Sequence, residues 1–175
     1  MPATYEPIAT TTLGSNASSV SFTSISGSYT DLILVCFYRD TRAQKYSYPY
    51  VRFNSDSGSN YSVTSIYGSG SAAFSSRASN QTGLNIGEGA GASSPANEYS
   101  PIILNIINYS NATTNKTTLN RTNNVSGDGG LNVGAQVGLW RSTSAITRID
   151  IYPDGGGGTN IASGSTFTLY GIKAA

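Results

Sequence analysis

Nine carboxylates supply the acid–base chemistry open to this 175-residue chain, and no histidine accompanies them. Cleaving a glycosidic bond takes two carboxyl groups held about 5–10 Å apart. The closest pairing in sequence is Asp150 with Asp154, one on an alternating β-rich run and one opening the Asp-Gly turn after it. A solvent-facing strand residue and a turn residue account for both without catalysis. With no imidazole base, serine or cysteine catalysis that depends on histidine is excluded. One cysteine permits neither an intrachain disulfide nor a Cys/His zinc site. Cys36 lies in the apolar run Leu32–Tyr38, where it reads as a small buried hydrophobe. Asp154-Gly-Gly-Gly-Gly-Thr-Asn and Ser126-Gly-Asp-Gly-Gly resemble cation or phosphate loops, but neither has EF-hand or Walker spacing and no helix follows. Hairpin turns that need positive φ explain both. The residues therefore predict no enzyme, no cofactor and no functional metal.

Two sets of side chains carry recognition chemistry instead. Tyr46, Tyr48 and Tyr50 share one face if their strand starts early enough. Such a surface aromatic patch suits carbohydrate, and suits a subunit contact or a sheet-face stripe equally well. Tyr5, Ile8 and Leu13 are the sizeable apolar groups of a Thr-rich N-terminal stretch bearing Pro2 and Pro7. Proline removes ladder donors, so this arm is not an interior strand. It either lies along its own sandwich as an edge strand or docks on another subunit through those three anchors. Trp140 beside Arg141 is a cation–π or sugar platform, or else a residue packing the rim.

The elements that position these groups are strands. Ser, Thr, Asn and Gly make up 81 of the 175 residues, while 12 Tyr and 5 Phe argue against disorder. No amphipathic helical window is present. Short β-rich runs recur between Gly, Ser, Asn and Asp clusters. The bursts Asp31–Arg39 and Ser100–Tyr109 are apolar on both faces, Leu131–Trp140 and Ile146–Tyr152 alternate, and Lys116–Asn123 is polar and reads as an edge. Gly68–Gly83 and Gly87–Asn97 read as long loops. The series predicts an all-β fold, an antiparallel β-sandwich in a single domain, with an extended arm over 1–19 and the sandwich over 20–175. Burial of only one sheet face leaves the outer side of the two bursts to be covered by loops or by another copy, and the second option predicts a homo-oligomer. A net charge of +1 gives no footprint for nucleic acid. No apolar run approaches the roughly 20 residues that span a bilayer, and the start has no basic and apolar leader, so the chain reads as made in a cytoplasm. Eight Asn-x-Ser/Thr triplets read as polar β composition rather than glycosylation sites.

Several stretches together resemble small virion proteins of tailed bacteriophages, of the kind common in cyanophages. They are Tyr5-Glu-Pro-Ile-Ala-Thr-Thr-Thr-Leu, Val20-Ser-Phe-Thr-Ser-Ile, Ser28-Tyr-Thr-Asp-Leu-Ile-Leu-Val, Val51-Arg-Phe-Asn-Ser-Asp-Ser-Gly-Ser-Asn-Tyr-Ser, Gly138-Leu-Trp-Arg-Ser-Thr-Ser-Ala-Ile-Thr and Gly164-Ser-Thr-Phe-Thr-Leu-Tyr-Gly-Ile-Lys. The resemblance implies a jelly-roll-like sandwich and a place in the virion. It implies a capsid cement or decoration protein, with the major capsid protein as partner and a trimer favoured by lattice symmetry, or alternatively a tail fibre or receptor-binding domain contacting host surface glycan. It carries over no site residues.

Overall fold

The structure, a computed structural model, describes residues 4–125, 131–154 and 159–173. In chain order the strands are β1 (Tyr5–Thr12), β2 (Val20–Phe22), β3 (Asp31–Tyr38), β4 (Tyr46–Ser47), β5 (Pro49–Phe53), β6 (Tyr61–Gly68) and β7 (Ala73–Gln81). They continue with β8 (Leu84–Asn85), β9 (Gly89–Ala90), β10 (Ser100–Ile107), β11 (Lys116–Val125), β12 (Leu131–Trp140), β13 (Ile149–Pro153) and β14 (Thr166–Ile172). No helix occurs among the described residues. One eight-stranded sheet runs β1-β14-β3-β10-β11-β12-β6-β7, a four-stranded sheet runs β2-β13-β5-β8, and β4 pairs with β9. Every pairing between these strands is antiparallel, so the all-β antiparallel sandwich expected from composition and alternation is the observed fold.

The core lies where the two sheets overlap. Leu32, Leu34 and Cys36 of β3, Ile102, Leu104 and Ile106 of β10, and Phe167 and Leu169 of β14 face Val20, Phe22, Val51, Phe53, Ile149 and Ile151 of the smaller sheet, all buried. Each such side chain stabilises the fold by about 1.5–3 kcal/mol relative to exposure. Phe53, Tyr61 and Trp140 close one end of this core, with ring centroids 5.6–6.3 Å apart.

Two local expectations change. Gly68–Gly83 is not a loop: Ala73–Gln81 forms the edge strand β7, its Ser-rich polarity suiting a strand with one free side. Lys116–Asn123 is not an edge, because β11 lies between β10 and β12. Its alternate residues Lys116, Thr118, Asn120, Thr122 and Asn124 face inward and are buried. Correspondingly, the alternating apolar set of β12 points outward, with Val133 and Val137 at 65% and 55% exposure. The reason is the segment 84–90, which crosses the inner face of β11 and β12 and leaves the strands over residues 86–88, where its carbonyls need other partners. Asn120 Nδ2 donates to Ile86 O at 2.6 Å and Thr122 Oγ1 to Glu88 O at 2.7 Å. Gly87, at φ +118°, allows that crossing, since a Cβ there would meet Thr122 Cγ2 at 2.6 Å. Residues 5–12 form an edge strand on β14, the first of the two placements open to the arm, and the register slips between Pro7 and Ala9, beside the residue with no donor.

Candidate functional site

The eight-stranded sheet extends past β8, the edge of the smaller sheet, and the step between them is a groove of about 280 Å³. Its floor is Gly134, Gln136, Thr122 and Ser65; β6 and β7 form one wall, and Tyr48, Tyr50, Asn85 and Glu88 the other. Strand alternation positions the tyrosines. Ser47 and Pro49 point inward and are buried, so Tyr46, Tyr48 and Tyr50 fall on the opposite side.

A chain of amides holds the floor. Asn120 Nδ2 donates to Gln136 Oε1 at 2.9 Å, Gln136 Nε2 donates to Asn85 Oδ1 at 3.1 Å, and that oxygen also accepts from the Gly87 amide at 2.9 Å. Burial pushes the Tyr48 hydroxyl up to about 12, and the Glu88 carboxylate adds to the rise, with smaller contributions from Tyr46 and Tyr67. Tyr67 stacks on Phe74 across the β6–β7 hairpin at 5.2 Å. Arg42, the cation that acts on Tyr48, is engaged by Asp154 at 3.1 Å. The site therefore offers aromatic faces above a floor of small and amide side chains, an arrangement that can hold a ligand by stacking and hydrogen bonds.

The structure divides the residues singled out in the sequence. Tyr48 and Tyr50 line the groove, and Tyr46 meets Tyr48 edge-on at 5.7 Å without entering it. Tyr50 also stacks on Tyr152 at 5.9 Å, and Arg52 covers the Tyr152 ring at 4.6 Å. Ile8 and Leu13 pack against their own core, while Tyr5 is 58% exposed. Trp140 is buried and donates to Asp56 Oδ2 at 2.7 Å, so it packs the rim. Asp150 and Asp154 serve separate ion pairs, with Arg148 at 2.7 Å and Arg42 at 3.1 Å. Cys36 is buried, and desolvation holds its thiol far above the usual range. The glycine-rich runs 126–130 and 155–158 lie outside the described residues. Tyr67, Asn85, Glu88 and Gln136 were not singled out in the sequence; Gln136 carries the one signal, an amide set between small and apolar neighbours in a strand.

A second surface is larger. The outer face of the eight-stranded sheet presents Phe37, Ile107, Leu119, Val137, Ile66 and Val133, each 44–65% exposed. At its β12–β6–β7 end the face is concave around Ile66, Ala73, Val133 and Ala135, with Arg121 at the margin and a volume of about 700 Å³.

No family model matches the chain, and no curated protein matches it. Among solved structures it is similar to scytalido-glutamic peptidase in complex with a transition-state analog inhibitor, at 10% identity and a TM-score of 0.32, over 88% of this chain and 75% of that one. It is similar also to the alginate lyase vAL-1 from Chlorella virus, at 12% identity and a TM-score of 0.32, over 95% and 83%. Likeness at this level brings neither chemistry nor residue roles to the present chain.

Proposed function

We propose that the chain is a structural protein of a bacteriophage virion, a capsid cement or decoration protein that assembles as a homo-oligomer through the outer face of its eight-stranded sheet. The observation that carries this reading is the run of six large apolar side chains on that face. Large apolar side chains left exposed in this number on one sheet face mark an interaction surface. A trimer suits the threefold positions of a shell, and the partner is then the major capsid protein. Tyr5, exposed on edge strand β1, is a further contact point. Neither nucleic acid nor membrane enters this reading.

Sedimentation tests it directly. The protein at micromolar concentration is expected to sediment as an oligomer, and Val137→Asp with Ile66→Asp to sediment as a folded monomer that no longer co-sediments with particles. A wild-type protein that is monomeric at that concentration overturns the reading. The groove favours a second reading, a tail fibre or receptor-binding domain contacting host glycan. A copy number per virion on the scale of the capsid lattice supports the first, and one on the scale of the tail supports the second.

A further inference from the structure

We infer that the groove between β6–β7 and the Tyr48–Tyr50 and Asn85–Glu88 segments is a binding site for a neutral oligosaccharide. The inference supplies the site and ligand class that the glycan reading lacks. It does not depend on assembly through the outer face, nor on whether the chain belongs to head or tail.

Three features converge. First, Tyr48, Tyr50 and Tyr67 come from three different strands and connections yet line the same groove, Tyr50 on the wall that carries Tyr48. Phenolic rings present an apolar face to the C–H side of a pyranose while the hydroxyl remains available for hydrogen bonding. Second, the groove holds planar polar groups, the Asn85 and Gln136 amides and the Glu88 carboxylate, which match vicinal hydroxyls. The Gln136–Asn85 hydrogen bond fixes the floor before any ligand arrives, lowering the ordering cost of binding. Third, charge selects the class. The charged groups that line the groove are one carboxylate, Glu88, and one guanidinium, Arg77, of opposite sign. A lining with no net charge gives a uronate no advantage over a neutral sugar. Its volume of about 280 Å³ falls just below the roughly 300–1,000 Å³ of small-molecule sites, the scale of a short sugar segment.

The test is titration calorimetry of the full chain with cellotetraose, maltotetraose and chitotetraose, and with tetragalacturonic acid as the acidic counterpart. At least one neutral sugar is expected to bind at millimolar concentration or better. Tyr67→Ala and Tyr48→Ala should each weaken it about tenfold, the scale of one lost aromatic contact. Tyr48→Phe, which keeps the ring, should lose less, and Thr168→Ala on β14 nothing. Tyr67 is 37% exposed, so Tyr67→Ala decides the matter even if Tyr48→Ala fails to fold. Absence of binding by all three neutral sugars, tighter binding of the uronate, or unchanged affinity in folded Tyr67→Ala overturns the inference.

Discussion

Replacing Asp56 by alanine strips the rim of the core of its polar anchor. One carboxylate receives Trp140 Nε1 at 2.7 Å, Asn60 Nδ2 at 2.9 Å and the Gly58 amide at 2.8 Å. Trp140 is 2% exposed, so once the acceptor is gone its indole N–H meets water only through the gap the carboxylate leaves. A hydrogen bond to a charged group contributes about 1.5–3 kcal/mol, and an orphaned buried donor costs about 1–3 kcal/mol. Asp56 itself is partly exposed, and water re-solvates Asn60 and Gly58 in the variant. The net loss expected for Asp56→Ala is therefore about 2–3 kcal/mol, or a fall in Tm of about 5–10 °C at this chain length. Partial desolvation would raise the Asp56 pKa, but the bonds from Trp140, Asn60 and Gly58 and the charge of Arg52 outweigh it, and the pKa is lowered. A depressed folded-state pKa means the carboxylate's contribution is complete above its unfolded value of about 3.9 and is lost as pH falls through the folded value. Asp56→Asn should then cost about 1–2 kcal/mol at pH 7, with the difference from wild type closing as pH falls through the folded value. Urea unfolding followed by the fluorescence of Trp140, the one tryptophan, and by circular dichroism measures both. A double-mutant cycle with Trp140→Phe should show coupling of about 1.5 kcal/mol. Coupling below about 0.5 kcal/mol, within the scatter of independent sites, would falsify the assignment of this bond as the anchor.

Two further outcomes follow from the same geometry. Arg39 spreads its guanidinium over four carbonyls, Pro95 and Glu98 from Nη1 at 2.9 and 3.0 Å and Ala92 and Ser94 from Nη2, both at 3.1 Å. A lysine ammonium cannot span that fork, so Arg39→Lys should cost about 2 kcal/mol and raise hydrogen exchange over residues 92–98; unchanged exchange there refutes the clamp. Gly138→Ala should destabilise by about 1–3 kcal/mol, because its Cβ would lie 2.7 Å from both Leu84 Cδ atoms and against Thr118 Oγ1. A melting curve within about 0.5 kcal/mol of wild type would show instead that β8 moves aside at little cost.

Sequence alone determined the class of fold, because β-branched and aromatic residues at period two, punctuated by turn formers, can bury their apolar faces only as packed sheets. It determined the core of β3 and β10, whose double-sided bursts leave no ambiguity about burial on at least one face. It also placed Tyr48 and Tyr50 on one side of their strand, since alternation is a local property. Tertiary structure decided which side of an alternating strand is the inside. In β11 and β12 the apolar residues Leu119, Val133 and Val137 point out and Asn120, Thr122 and Gln136 point in. Hydrophobicity by itself predicts the reverse. The inversion depends on the segment 84–90 crossing that face and requiring donors, a contact about 34 residues away in sequence that no local window contains. The groove belongs to the same category. Tyr67 stands beside Tyr48 only because an eight-stranded sheet overhangs a four-stranded one, and the relative widths of two sheets are set by pairing, not by composition.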